Sequence, residues 1–437
     1  MTAPSDAKMG IWMTSALVVG CIIGSGIFLL PVSLAPLGAN ATLGWVISGA
    51  GALAIACSLA LISRDGAGIQ TYIEESFGPT VGFLVTFSFW CSNWAASAAL
   101  AIATASAIAW IDPSLQTTAF TIPVAVASTI ILSLVNTRGA RASGGLSIIT
   151  VLIKIMPLIA VAIAAGLHAA KGTGASSGSH VPVSVSGLGS AVALTLFALT
   201  GFENATAPVD KVRNPSRTIP LALLGGTLFV VLLYLASSSG VLSLLGGKAV
   251  ASSSSPFADA IALEWGRGAS WLAITAIAIA AFGGLNGMIL ATSELGYSMA
   301  LRGDLPRRFA QTHGAGTPVA SVWLTCSIVI LLILANASRS TSGLFTFVIL
   351  LSTASVLVVY LVGSLAAWNR CRHAYKPIIA IAVAFSLFAL WGTGAEAVGW
   401  GGLLLVIGYV LRVAMHALNA RAATSPVAEV SPAAPRE

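Results

Sequence analysis

The sequence has little charge. Of its 437 residues, 8% are Asp, Glu, Lys or Arg, where a soluble domain carries about a quarter to cover its surface with groups that water solvates. With 57% hydrophobic residues and a mean hydropathy of +0.94, the chain cannot hide its apolar surface in a soluble core. A lipid solvent removes the difficulty, because helices in a bilayer keep an apolar exterior. Polar stretches are short, which excludes a large extramembrane domain. Cysteine is also scarce. Cys21, Cys57, Cys91 and Cys326 sit in apolar runs and Cys371 in a basic loop. No two share an external loop, so no disulfide is expected. The five histidines show no ligand spacing, so no metal site is expected, and nothing calls for a cofactor. Buried ionisable side chains reduce to Lys154, Glu203 and Glu294. By spacing they form no nucleophile, acid–base or metal set, which argues against a polytopic membrane enzyme. A channel would want a polar or charge-lined pore, also absent.

What is present is apolar length. A membrane helix needs about 20 apolar residues. Twelve segments meet that need, near 10–36, 42–63, 82–110, 119–136, 146–167, 186–209, 219–245, 269–300, 318–335, 343–368, 377–392 and 397–418. The first follows a single lysine, Lys8, and continues through Gly24-Ser25-Gly26 to Leu34 without a cleavage site, so it is expected to remain as a span. Residues 1–418 read as one transmembrane domain. The tail 419–437, rich in Ala, Pro and Ser, is expected to be disordered and cytoplasmic.

Charge placement fixes the orientation. With an even number of spans and both termini inside, sixteen of the 21 Lys and Arg residues fall on the inner side. Four fall outside (Lys171, Lys248, Arg267 and Arg339), and Lys154 lies within a span. That asymmetry is the positive-inside signature. The net charge of +7 is therefore a topology signal and needs no nucleic-acid partner. The expected partners are the bilayer and a small solute, and a homodimer is left open.

Glycine placement points to the chemistry. Segment 1 carries Gly20, Gly24 and Gly26 around Ser25, and segment 6 carries Thr200-Gly201. The two segments are five apart, corresponding positions in transporters built from two inverted five-helix repeats, where both are broken near the midplane. Close helix packing is the plainer use of a glycine patch; two patches in related positions favour breaks. Unwinding at Gly24-Ser25-Gly26 would free backbone N–H groups at the positive end of a half-helix, a receptor for a carboxylate. A break at Thr200-Gly201 would leave carbonyls that favour an ammonium group. Together they suit an amino acid.

The run from Gly20 through Gly24-Ser25-Gly26-Ile27-Phe28 to Pro31 resembles the first helix of the amino acid–polyamine–organocation (APC) superfamily of transporters. Phe77-Gly78-Pro79, Gly201-Phe202-Glu203, Asn214-Pro215-Ser216-Arg217, Arg302-Gly303-Asp304-Leu305-Pro306 and Trp391-Gly392-Thr393-Gly394 are similar to later landmarks of its bacterial basic amino acid and polyamine antiporters. The resemblance covers nearly the whole chain. It implies an all-α membrane protein with 12 transmembrane helices, a five-plus-five inverted repeat (LeuT-like) over about 10–167 and 186–368, and broken helices 1 and 6. Helices 11 and 12, about 377–418, would lie outside that core. It further implies alternating access in a bacterial inner membrane.

The resemblance weakens where substrate is chosen. Phe197 and Met288 stand where the arginine/agmatine antiporter has tryptophans, Phe89 where it has a tyrosine, Ser97 where it has an asparagine, and Cys21 where it has a polar amide. A cation loses much of its aromatic partner in this set. Lys154 is the sharpest single residue. A lysine deep in an apolar stretch costs about 2.5–3.5 kcal/mol on insertion scales. In some neutral amino acid members of the superfamily such a lysine replaces a sodium ion, contacting helix-one carbonyls, here those of Gly20 and Ile23. Its charge would repel a dication. Glu203, just past the second break, would serve as a proton-sensitive gate. The expectation is a sodium-independent secondary transporter for neutral amino acids, by exchange or proton coupling. The alternative is a basic amino acid or polyamine antiporter. The expected substrate site is Cys21, Ile23, Gly24, Ser25, Gly26, Phe89, Ser97, Phe197, Thr200, Gly201 and Met288, with Lys154 and Glu203 in coupling or gating.

Overall fold

In lipid, backbone polar groups find no water, so each apolar run must close its own hydrogen bonds as a helix. The computed structural model describes residues 10–62, 69–138, 147–171, 181–202, 212–313 and 316–424, and they are almost entirely helical. In chain order the helices are α1 (Ile11–Ile22), α2 (Leu30–Leu34), α3 (Ala39–Ile62), α4 (Ile69–Phe77), α5 (Pro79–Ala109), α6 (Thr118–Asn136), α7 (Ser147–Ala170) and α8 (Val185–Leu199). There follow α9 (Pro215–Leu245), α10 (Gly247–Ser252), α11 (Pro256–Leu301), α12 (Val319–Ala335), α13 (Thr341–Arg370), α14 (Lys376–Gly392) and α15 (Gly394–Thr424). Among the described residues nine helices are long and apolar enough to cross a membrane, and α1, α8 and α12 are shorter apolar helices.

Three features depart from the sequence expectation. The segment expected at 269–300 begins earlier, because α11 starts at Pro256 and turns at Gly266, where φ is 78°. Between α3 and α5 lies the amphipathic α4, which buries Tyr72 and Ile73 and turns its polar face to the helix ends around it. Arg302 donates to Gln70 at 3.3 Å and Arg370 to Glu75 at 2.8 Å. The last helix runs to Thr424, so 419–424 continue it rather than starting a tail; the tail's further residues lie outside the described ones.

The bundle centres on α5, which packs against α13, α11, α6 and α4. Hydroxyls stitch it there, since each buried polar group needs a partner. Ser92 and Ser352 exchange bonds across α5 and α13 at 2.9 and 3.0 Å, and Ser88 donates to the Ser355 carbonyl at 2.7 Å. On another side α14 lies against α3 and α8. A Cβ on Gly392 would sit 2.0 Å from the Gly189 carbonyl oxygen, and one on Gly51 would sit 2.3 Å from the Phe385 ring. Small residues let these backbones meet, as they do generally between membrane helices.

Candidate functional site

Two helices stop inside the bundle. α1 ends at Ile22; Ile23 turns, with the Gly24 N–H donating to the Ile22 carbonyl at 2.7 Å, Gly24 is extended, and the chain resumes as a 3-10 turn over Ser25–Phe28. The first N–H groups of such a turn have no intrahelical partner. α8 ends at Leu199, Thr200 is extended, and Gly201 has φ of 113°. Only glycine adopts that value freely. The two breaks lie against each other: a Cβ on Gly201 would stand 2.4 Å from the Cys21 carbonyl oxygen. Gly26 faces the Phe197 ring, where an added Cβ would come within 2.7 Å.

At this crossing lies a cavity of about 80 Å³. Of the residues expected from the sequence, Cys21, Gly24, Gly26, Phe89, Phe197, Thr200, Gly201 and Met288 line it. Larger cavities of about 460 and 260 Å³ open near Arg339 and Ser340, but neither touches either break. The lining of the central cavity carries no charged side chain among the described residues. Its polarity comes from helix ends, hydroxyls, the Cys21 thiol and one carboxamide.

Three expected residues stand elsewhere. Ile23 is fully buried behind the cavity wall. Ser97 is fully buried as well and donates to the Asn93 carbonyl at 2.8 Å, so its hydroxyl is spent on its own helix rather than on a ligand. Ser25 opens the 3-10 turn at the break itself. Lys154 is 9% exposed in α7, with Cys21 as its electrostatic neighbour. Its expected bonds to the carbonyls of Gly20 and Ile23 are not formed. Instead Tyr234 of α9 donates to the Ile22 carbonyl at 3.3 Å, and α7 meets α1 through Val151 packed on Gly20. Glu203 lies outside the described residues.

The sequence reading missed Ser92, Asn93 and Ser352. A signal was available: Phe89, Ser92, Asn93, Ala96 and Leu100 recur at the three- and four-residue spacing of one helix face, and Asn93 is the one amide in α5.

A small cavity with no charged side chain among its described lining residues thus lies at the meeting of two interrupted helices. The chain belongs to the amino acid permease family of the APC superfamily, whose family model matches residues 9–414. It is similar to the "Putrescine transporter PotE" of Escherichia coli (strain K12), 26% identical over 428 residues that cover 94% of this chain and 97% of that protein. The protein of the same name from Haemophilus influenzae is 26% identical over the same share. The "Cadaverine/lysine antiporter" of Escherichia coli (strain K12) is 26% identical over 356 residues, 78% of this chain and 79% of that one. The names of these relatives concern amine and basic amino acid cargo, whereas the sequence expectation from Lys154 and the missing aromatics is a neutral amino acid.

Proposed function

We propose that the chain is a secondary active exchanger of a compact amine or basic amino acid, working by alternating access. The observation that carries the reading is the small cavity at the contact of the two breaks. A half-helix start offers N–H groups there and a half-helix end offers carbonyls, so carboxylate and ammonium ends are both provided for. About 80 Å³ is far below the roughly 300–1,000 Å³ of a drug-sized site, which favours a short diamine or a single amino acid over a long polyamine. Ammonium recognition would fall to carbonyls and the Phe89 and Phe197 rings, since the described lining holds no carboxylate. The substrate set would be Cys21, Gly24, Gly26, Phe89, Phe197, Thr200, Gly201 and Met288, with Ser25 giving its backbone N–H. Lys154 and Glu203 would act in coupling or gating.

In this reading all twelve apolar segments span the bilayer of a bacterial inner membrane, with both termini cytoplasmic. The helices up to α13 form the two inverted five-helix repeats, and residues up to 418 form one domain. Transport would be independent of sodium.

A neutral amino acid remains the second reading, favoured by the ammonium of Lys154 buried beside Cys21. Counterflow into liposomes separates the two. Labelled putrescine and lysine should exchange against unlabelled putrescine, with sodium or choline outside alike. Competition by alanine, serine and leucine that exceeds competition by putrescine and lysine would overturn the amine reading.

A further inference from the structure

Asn93 is 7% exposed, lines the cavity, and its carboxamide makes no hydrogen bond among the described residues. Its backbone carbonyl is occupied by Ser97, and the neighbouring hydroxyls of Ser92 and Ser352 are occupied by each other. A buried amide has two donors and an acceptor to satisfy, and leaving them unmet is costly. Ser92, the other polar α5 side chain among the described lining residues, has found a protein partner; Asn93 faces the space a cargo would fill. The sequence placed the specificity hydroxyl at Ser97, one turn further along α5, but that side chain is turned away.

We propose that Asn93 recognises the polar far end of the cargo, the group opposite the end held by the two helix breaks. The assignment rests on the carrier reading above and adds a residue to it. The amide oxygen would accept from a terminal ammonium, and the amide N–H groups would donate to a hydroxyl or carbonyl. A cargo with an apolar far end would leave Asn93 unpaired, and the site would discriminate against it on that account. The carboxamide thus explains how a cavity without a charged side chain can still prefer one end group over another.

The test uses pairs of probes that differ in the far-end group: putrescine against n-butylamine, lysine against norleucine, and serine against alanine. Uptake of each into liposomes is measured for the wild type, Asn93→Ala and the equally sized Asn93→Asp. In the pair the wild type transports best, the polar member should be preferred. Asn93→Ala should reduce that preference roughly tenfold, with uptake of the polar member falling and uptake of the apolar member kept or raised. Asn93→Asp should raise the preference for an ammonium end and lower it for a hydroxyl end. An unchanged ratio in both variants overturns the proposal, as does an equal loss of both members, which would mark a structural role. A wild type without preference in any pair overturns it too. A wild type that selects the serine pair over both amine pairs overturns the amine reading alone, and Asn93 is then judged on the serine-to-alanine ratio.

Discussion

α5 and α15 are each 31 residues long, but they occupy opposite environments. The apolar window of α5 is 94% buried within the protein and that of α15 is 11% buried. Their mean hydropathies run the other way, 1.2 for α5 and 1.8 for α15. In water the more apolar helix would be the central one. Lipid is as apolar as leucine and gives no reason to bury it. What must be buried is polarity, because a hydroxyl or amide in hydrocarbon has no water to bond. So α5, with its Ser, Thr and Asn side chains, takes the centre, and α15 faces outward with Val406, Val410 and Val413 more than half exposed.

The comparison implies that damage follows burial and polar partnership, not hydropathy. The largest effect is expected at the break that α5 encloses. Gly201→Val meets the Cys21 carbonyl and requires a side chain at φ of 113°, a backbone state costing of order 1–3 kcal/mol even before the clash. Uptake in liposomes should fall at least a hundredfold; retention of a tenth of wild-type uptake would show that the breaks need not touch. Next, Ser92→Ala removes one half of the exchange with Ser352 and leaves groups unpaired. It should cost about 1–3 kcal/mol, seen as a lower unfolding temperature in detergent. Thermal stability equal to wild type would mean that the α5–α13 seam tolerates unpaired hydroxyls.

A smaller effect is expected where the two helices meet. Gly408 of α15 abuts the Phe87 ring of α5, and Arg412 lies over Phe83 and donates to Asp304 at 2.9 Å. Burial pushes the Asp304 carboxyl above its ordinary value, against the opposing pull of Arg412 and His416. A raised carboxyl favours the protonated folded form, so its contribution to stability is present at low pH and lost as pH rises through the raised value. Asp304→Asn should therefore flatten the fall in unfolding temperature as pH rises from about 4, the ordinary carboxylate value. A slope identical to wild type would show that the Arg412 contact cancels the cost of burial. The smallest effect is expected on the lipid face: Val410→Ala, 59% exposed, should leave uptake and unfolding temperature unchanged. A clear loss there would mean that α15 has a protein neighbour.

Apolar length made the helices legible in the sequence, and a glycine patch in each of two segments made the breaks legible. α4 was not legible, because nine residues with alternating polar and apolar faces resemble a loop when only long runs are sought. Of the cavity, the residues at the breaks were readable because glycine signals a backbone event. The α5 wall was not. Which turn of a helix faces a cavity depends on the rotation of that helix against its neighbours, and Ser97 and Asn93 differ only by one turn. Lys154 was legible as an anomaly, but its surroundings depend on how α7 leans on α1, a contact set by Val151 and Gly20.

The backbone contact between Gly189 and Gly392 bears on biogenesis. A chain is made and inserted from its N-terminus, so α8 enters the membrane long before α14 exists to cover it. Until the penultimate helix leaves the translocon, Gly189 has no glycine backbone opposite it and the half-helix carrying Phe197 rests on α3 and α13 with one side uncovered. A chain halted after α13 would hold every described residue that lines the central cavity and still lack a surface against the half-helix carrying Phe197 and Ala198. Quality control that samples nascent membrane proteins would meet an unfinished carrier until its last hairpin arrives.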